Sequence, residues 1–556
     1  MRYEPQNPLI VQSDHSLLLE TMGPNFRVVR DALVRFAELV KSPEYVHTYR
    51  ITPLSLWNAA SAGLEPADLV EVLNTWSKYD VPPNVPTWVE DTMSRYGRLK
   101  LVPEGTELRL IADSEALIRE IRHHKLTRDL LQEDLDDLSI KVYTAHRGEL
   151  KQVLISIGHP VEDLAGYVDG DVLEMEMSAE TKDGTPWGLR DYQVDAVDSF
   201  HGDGQVHGGS GVVVLPCGAG KTMVGIGAMT RLGMKTLILC TNVTALRQWK
   251  NEILDKTTLT LDDIGEYSGE SKNIKPVTLS TYQILTWRRS KHDEFVHFGL
   301  FDRQRWGLIM YDEVHLLPAP VFRSVAMLQA RRRLGLTATL VREDGKQGDV
   351  FALIGPKRFD MPWKDLEHQG WIASASCTEI RIGMSDEDRL RYATAEEREK
   401  YRLASTNSRK GPVVEELMER HPDDKVLILG MYVDQLEWLS RQWNLPLITG
   451  KTPQSRRDQL FADFRSGKSR VMVISKVGNF SVDLPDATVA IQVSGTWGSR
   501  QEEAQRLGRI LRPKKGDNKA WFYSLVTRES REQDYAEKRQ LFLTEQGYSY
   551  SIDVRK

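Results

Sequence analysis

The segment LPCGAGKT, residues 215–222, constrains this chain more than any other. It follows the apolar run GVVVLP (211–216) and opens onto the helical stretch MVGIGAMTRL, which is the strand–turn–helix setting of a phosphate-binding loop. Gly218 and Gly220 flank Ala219 and let backbone N–H groups approach phosphate oxygens closely. Lys221 offers a point charge to the β- and γ-phosphates of ATP, and the Thr222 hydroxyl is a ligand for Mg²⁺. The helix N-terminus adds the positive end of its dipole. Leu215 stands where the general pattern has its first glycine, and Cys217 reads as a small spacer. A chance glycine-rich turn is the competing explanation, and it loses weight with each motif below.

A loop of this kind needs a parallel sheet around it. From 189 onward short apolar runs alternate with longer helical stretches, as in TLILCT (236–241), VTLSTY (277–282) and GLIMYDE (307–313). The pattern fades around MPWKDLEHQGW (361–371). It returns as KVLILG (425–430), LPLITG (445–450), RVMVIS (470–475), TVAIQVS (488–494) and AWFYSLV (520–526). Two α/β domains in series are expected, over 184–362 and 363–556. Asp312 and Glu313 follow the run GLIMY. A carboxylate at a strand end near the phosphate loop can hold Mg²⁺, and its neighbour can orient and deprotonate an attacking water. Alone, such a pair is common; behind a phosphate loop it is specific.

Three further stretches carry candidate chemistry. In LRDYQ (189–193), the Gln193 amide both donates and accepts and so can read an adenine edge, with Arg190 close by. An ordinary helix start explains the same five residues. GLTATL (335–340) places Thr337 and Thr339 behind a β run, where hydroxyls would link the Mg²⁺ end of the site to a nucleic-acid side. A threonine-rich turn is the alternative. SRQEEAQRLGRILRPK (499–514) gathers Gln505, Arg506, Arg509 and Arg512 on one helical stretch, Arg509 and Arg512 projecting from adjacent turns. Such arginines suit a cleft that holds a transferring phosphate. A basic surface helix is the alternative, and a glycine inside the helix argues against it because glycine costs helix stability.

Upstream, residues 1–104 alternate apolar runs with polar turns, and 56–79 has helical spacing with Leu64, Leu69, Val70, Val72 and Leu73 able to share a face. Residues 105–183 read as a small α+β domain in which LRLIADSEALIREIRHH gives a strand then a helix, an order repeated by DDLSIKVYTAHRGELKQVLISIG. The acidic run Glu133, Asp134, Asp136, Asp137 reads as a solvated loop, SAETKDGTPWG (178–188) as a linker, and HGDGQVHGGSG (201–211) as a flexible loop.

Composition sets bounds. At about 150 residues per domain, 556 residues imply three to four domains, and 40% hydrophobic with 27% charged residues is an ordinary globular balance. No run approaches the roughly 18 apolar residues of a membrane helix, and MRYEPQNPLI lacks the basic-then-apolar order of a secretory leader. Three cysteines cannot build a disulfide framework, so a reducing, cytoplasmic location is expected. A net charge of −6 argues weakly against a nucleic-acid partner. Net charge does not decide what one channel binds.

Taken in order, LRDYQ, LPCGAGKT, DEVH, LGLTATL, ISKVGNFSVDLP and QEEAQRLGRILRP resemble the motifs of superfamily-two helicases, and Arg342-Glu343-Asp344 resembles the RED motif of the XPB family. The likeness is strong over 184–556 and less specific over 1–183, where 105–183 would correspond to a damage-recognition domain. It implies two RecA-like parallel-sheet lobes behind N-terminal α+β domains. It also implies an ATP- and Mg²⁺-dependent motor that moves 3′-to-5′ on single-stranded and forked DNA in nucleotide excision repair, with a repair nuclease as a further partner. Arg190 and Gln193 would recognise adenine; Lys221, Thr222, Asp312 and Glu313 would bind and hydrolyse MgATP. His315, Thr337 and Thr339 would couple nucleotide to DNA, and Gln505, Arg509 and Arg512 would complete the site. Thr241, Ser280, Thr281, Thr449 and Lys476 would meet the DNA backbone. A thumb-like insertion is expected near 383–412, where STNSRK replaces the asparagine-proline-asparagine-lysine turn common in the family. Two other readings use the same motifs: a double-strand translocase that does not separate strands, and an ATP-switched damage-binding scaffold. A scaffold has no need of a water-activating carboxylate together with an arginine finger.

Overall fold

The computed structural model describes residues 3–555 except 34, 42–44, 62, 106, 144–145, 165–169, 203–208, 290–295, 298–299, 301–303, 317–331, 339–349, 351–353, 356, 476–486, 497–499, 509, 512–517 and 549. Near the N-terminus, β1 (Leu9–Val11), β2 (Ser16–Glu20), β3 (Glu38–Lys41) and β4 (Val46–Arg50) form an antiparallel sheet in the order β1-β2-β4-β3. Leu9, Leu17, Leu19 and Tyr49 bury one face of it against Leu56, Leu69, Leu73, Val85 and Val89. The helical stretch 56–79 is divided into Pro53–Ser61 and Pro66–Trp76. Gly63, at φ 84°, turns the chain between them. Pro66 opens the second helix, where its missing N–H costs nothing.

The next sheet runs β7 (Leu131–Asp136), β8 (Ser139–Val142), β6 (Glu107–Ala112), β5 (Leu99–Glu104), β9 (Val161–Asp163). Because β5 pairs with β6, this sheet begins ahead of residue 105. Helices Glu115–His123 and Arg147–Ser156 follow β6 and β8, the strand-then-helix order read twice in the sequence. The acidic run corrects the loop reading. Glu133, Asp134 and Asp136 lie in β7, an edge strand whose side chains are exposed. An edge strand tolerates such charge, and here it meets Lys141 at 3.0 Å and Arg122 at 3.3 Å.

One buried charge cluster locks this region. Asp163 meets Arg147 at 2.7 Å and Lys151 at 3.0 Å, and all three side chains are largely out of solvent. Burial alone would raise the Asp163 carboxyl; the charges of Lys151 and Arg147 and their hydrogen bonds outweigh it and hold it well below the usual carboxylate range. Asp163→Ala strands two buried cations and is expected to cost about 3–5 kcal/mol at neutral pH. A folded-state pKa below the unfolded value gives stability that is present at neutral pH and is lost as pH falls through the carboxylate range. Urea unfolding should therefore show a large gap between wild type and variant at neutral pH and a smaller one in acid.

The chain divides into two compact units whose main boundary falls between Asp360 and Met361, and the two sheets above belong to the first. The first contains a seven-stranded parallel sheet. Its strands are β10 (Ser210–Val214), β11 (Thr236–Cys240), β12 (Ile264–Tyr267), β13 (Val277–Thr281), β14 (Leu308–Asp312), β15 (Arg332–Thr337) and β16 (Lys357–Asp360), in the order β12-β13-β11-β14-β15-β10-β16. The second holds another all-parallel sheet. It comprises β17 (Ser374–Ile382), β18 (Val426–Leu429), β19 (Leu447–Ile448), β20 (Val471–Ile474), β21 (Val489–Gln492), β22 (Lys519–Thr527) and β23 (Tyr550–Arg555), in the order β19-β20-β18-β21-β22-β17-β23. Central strands such as β11, β13, β18 and β20 are buried at every position. Both sheet faces are covered, which is why these strands read as unbroken apolar runs. No helix among the described residues is long and apolar enough to cross a membrane. The charged stretch expected near 383–412 contains the helix pair Asp386–Thr394 and Glu397–Ser405.

Candidate functional site

The site is built at the carboxyl ends of the strands of the first parallel sheet, where α/β proteins place ligands. After β10 the chain turns through Gly218 (φ 84°) and Gly220 (φ 78°), and the helix Lys221–Leu232 begins at the lysine itself. A Cβ at either glycine would be strained, so the loop conformation depends on them. Thr222 lies in the first turn of that helix.

Asp312 ends β14, with β15 lying between it and the phosphate-loop strand β10. Glu313 follows with a left-handed backbone, φ 49°, and the chain then enters the short turn Val314–Leu316. Lys221 Nζ lies 3.2 Å from Glu313 Oε1. His315 Nδ1 lies 3.5 Å from Glu313 Oε2 and 2.6 Å from Thr337 Oγ1, at the end of β15. Lysine, carboxylate, imidazole and hydroxyl thus form one connected line across the strand ends, with His315 and Thr337 buried.

Asp312 is held from behind. Trp249 Nε1 donates to Asp312 Oδ2 at 3.2 Å, and the Tyr282 hydroxyl donates to the Asp312 carbonyl at 2.8 Å. Trp249 fits because residue 225 is glycine: a Cβ there would meet the indole at 2.4 Å. Burial, then the neighbouring Glu313 carboxylate, pushes the Asp312 carboxyl up to about 7, against the opposing pull of Lys221. A divalent cation beside it would relieve that strain and hold it ionised. The residues present therefore fit MgATP: Lys221 and the loop N–H groups for the phosphates, Thr222 and Asp312 for the metal, Glu313 for the water.

The remaining candidates are distributed as follows. Gln193 is buried and its Oε1 accepts from the Arg190 N–H at 3.0 Å, while Arg190 Nη1 donates to the Tyr192 hydroxyl at 3.1 Å. The amide oxygen thus caps the helix Asp191–His201. Thr241 follows β11, Ser280 and Thr281 end β13, and all three are buried. Gln283 ties this edge together by donating to the Thr241 carbonyl at 2.5 Å. In the second unit Thr449 follows β19, and the Thr452 hydroxyl accepts from its N–H at 3.0 Å. Gln505 is buried in the helix Arg500–Gly508, and its Oε1 has no hydrogen-bond partner among the described residues. Arg506 does not share an outward face with it. Its guanidinium points into its own unit, donating to the Gln492 side chain and, at 3.1 Å, to the Ser494 carbonyl. Gly508 stands at the end of the described helix and not inside it. Thr339, Arg342, Glu343, Asp344, Lys476, Arg509 and Arg512 lie outside the described residues. Trp249, Tyr282 and Gln283 were missed in the sequence, where nothing marks a side chain that acts by holding another.

A glycine-shaped loop, a lysine at the helix start and an acidic pair two strands away in a parallel sheet define the class of phosphate-loop nucleotide hydrolases. Comparison with known proteins narrows this. The family model described as ERCC3/RAD25/XPB C-terminal helicase matches residues 366–555. Those described as type III restriction enzyme, res subunit, and helicase conserved C-terminal domain match 187–342 and 9–136. The chain is 54% identical over 546 residues to a DNA 3′-5′ helicase XPB of Mycobacterium tuberculosis, covering 98% of this chain and 97% of that one. It is 53% identical to a protein of the same name from Kineococcus radiotolerans, covering 98% and 96%. The chain belongs to the XPB helicase family. Among solved structures, an ATP-dependent type ISP restriction-modification enzyme shares the fold at a TM-score of 0.51 and 12% identity, over 66% of this chain and 32% of that one.

Proposed function

We propose that this chain is an ATP-driven, 3′-to-5′ DNA helicase that opens duplex DNA during nucleotide excision repair. The observation that carries this reading is the line Lys221–Glu313–His315–Thr337. It connects the group that would meet the γ-phosphate to a hydroxyl at the carboxyl end of β15, on the same side of the sheet as the Thr241 and Thr281 ends of β11 and β13. A nucleotide switch without a motor needs no such connection. Within this reading Arg190 and Gln193 recognise adenine, and Gln505, Arg509 and Arg512 act on the phosphates. Thr241, Thr281, Thr449 and Lys476 meet the DNA backbone, and Thr339 works with Thr337. Residues 105–183 serve as the damage-recognition region, the helix pair near 383–412 as the thumb, and a repair nuclease as partner.

The deciding experiment is ATP hydrolysis with no nucleic acid, single-stranded DNA, duplex DNA and RNA. DNA is expected to stimulate turnover, and single-strand binding to weaken with salt at a slope of roughly −0.7 per neutralised phosphate. Equal turnover under all four conditions removes the motor. Replacing Arg342, Glu343 and Asp344 together by alanine is expected to leave DNA-stimulated hydrolysis in place while unwinding of a tailed duplex falls. The loss should be greatest on GC-rich duplex, since each base-pair step costs about 1.4 kcal/mol to open on average. Unwinding at wild-type rate across GC contents would make these three residues a solvated turn.

A further inference from the structure

We propose that Trp287 is a stacking platform for an unpaired base of DNA, with Arg288 and Arg289 placed to meet the adjoining phosphates. The inference deepens the reading of the chain as a DNA motor and rests on it. The indole is 48% exposed, a large apolar surface left in water. It is not a loosely hung side chain. Its backbone N–H donates to the Ile284 carbonyl, and its ring lies 5.7 Å from the His297 ring. His297 is fixed in turn by the Tyr267 hydroxyl, 2.9 Å from Nδ1. Burial and the nearby Lys272 charge hold the His297 pKa below its ordinary value, so this contact is kept with a neutral imidazole at pH 7.

Position and charge point to the ligand. Tyr267 ends the edge strand β12, and Trp287 lies just beyond the short helix Tyr282–Leu285 that follows β13. In a parallel sheet both ends are on the side that carries Asp312 and Thr241. Gln283 in that helix holds the Thr241 carbonyl. Arg288 and Arg289 follow the indole and are exposed, and Lys272 Nζ sits 4.8 Å from the Tyr267 ring centre. Of the carboxylates on the neighbouring strand and turn, Glu270 is paired with Arg247 at 2.7 Å and Glu266 accepts from Ser268. Among the described residues, Arg288, Arg289 and Lys272 thus bring three cations to this place in a chain of net charge −6. Trp438 is a built-in contrast. It is 44% exposed and packs on Trp443, but Glu437 precedes it and Trp443 Nε1 donates to Glu415. An exposed indole among cations suits a nucleic acid, because every base has a π-face and every linkage a negative charge.

The test is fluorescence anisotropy of the full chain with a labelled oligodeoxythymidylate and with a blunt duplex. Trp287→Ala is expected to weaken single-strand binding at least about fivefold and to leave blunt-duplex binding at the wild-type level. Trp287→Phe should retain most of the affinity, since phenylalanine also stacks. Trp438→Ala should change neither. Arg288→Ala and Arg289→Ala should each flatten the single-strand salt slope by about 0.7. Wild-type affinity in Trp287→Ala, a Trp287→Phe as weak as the alanine variant, or an equal loss on blunt duplex overturns the proposal while leaving the motor reading intact. A wild-type chain that binds neither DNA overturns both.

Discussion

Glu313→Gln is expected to slow DNA-stimulated ATP hydrolysis by about 10²–10⁴-fold, the usual contribution of a positioned general base, with nucleotide affinity kept or slightly improved. Glutamine has the shape of glutamate and can still orient a water, but it cannot take a proton from it. In the structure the carboxylate is held between Lys221 at 3.2 Å and His315 at 3.5 Å, so the side chain has little freedom to find another role. Removing its charge also frees Lys221 from a counter-ion that competes with phosphate, which is why binding should not suffer. Single-turnover hydrolysis and nucleotide titration separate the two effects. Lost affinity with normal turnover would make Glu313 only the resting partner of Lys221.

Arg509→Ala is expected to bind MgATP nearly normally and hydrolyse it about 10³–10⁵-fold more slowly, as for loss of an arginine finger. The helix Arg500–Gly508 leads to Arg509 in the sequence. Arg506 anchors that helix to Gln492 and Ser494, and Glu503 lies 3.5 Å from the buried Arg539. Arg539 also donates to the Thr496 carbonyl at 2.8 Å, in the segment before the helix. A helix pinned so firmly suits a group that must act on charge developing only in the transition state. Pre-steady-state turnover beside equilibrium nucleotide binding decides it. A defect confined to affinity would make Arg509 a ground-state ligand.

The parts legible in the sequence are those whose signal is local. Unbroken apolar runs marked the parallel strands because both faces of each sheet are buried, and LPCGAGKT marked its loop because the glycines serve that loop alone. Legibility failed where a residue's meaning lies elsewhere in the chain. Gly225 and Trp249 make sense only together, since the glycine leaves room for the indole that holds Asp312. Arg506 looked like its neighbours until the helix placed it inward, and the pairing that turns Glu133–Asp136 into an edge strand is made with β8. The division at Gly63 and Pro66 was written in plain turn chemistry, but the apolar spacing ran straight across it.

The left-handed backbone at Glu313 has a thermodynamic consequence. A side chain in that conformation costs on the order of 1–2 kcal/mol that glycine would not incur, and glycine would make the same turn out of β14. Only a carboxylate meets Lys221 and His315. At this one position the most stable residue and the working residue are therefore different, and the fold carries the difference as a standing loss. The buried strands around it, β14 and β15, are what allow the loss to be tolerated. With Glu313 as the base proposed above, substitutions that relax residue 313 would trade turnover for stability.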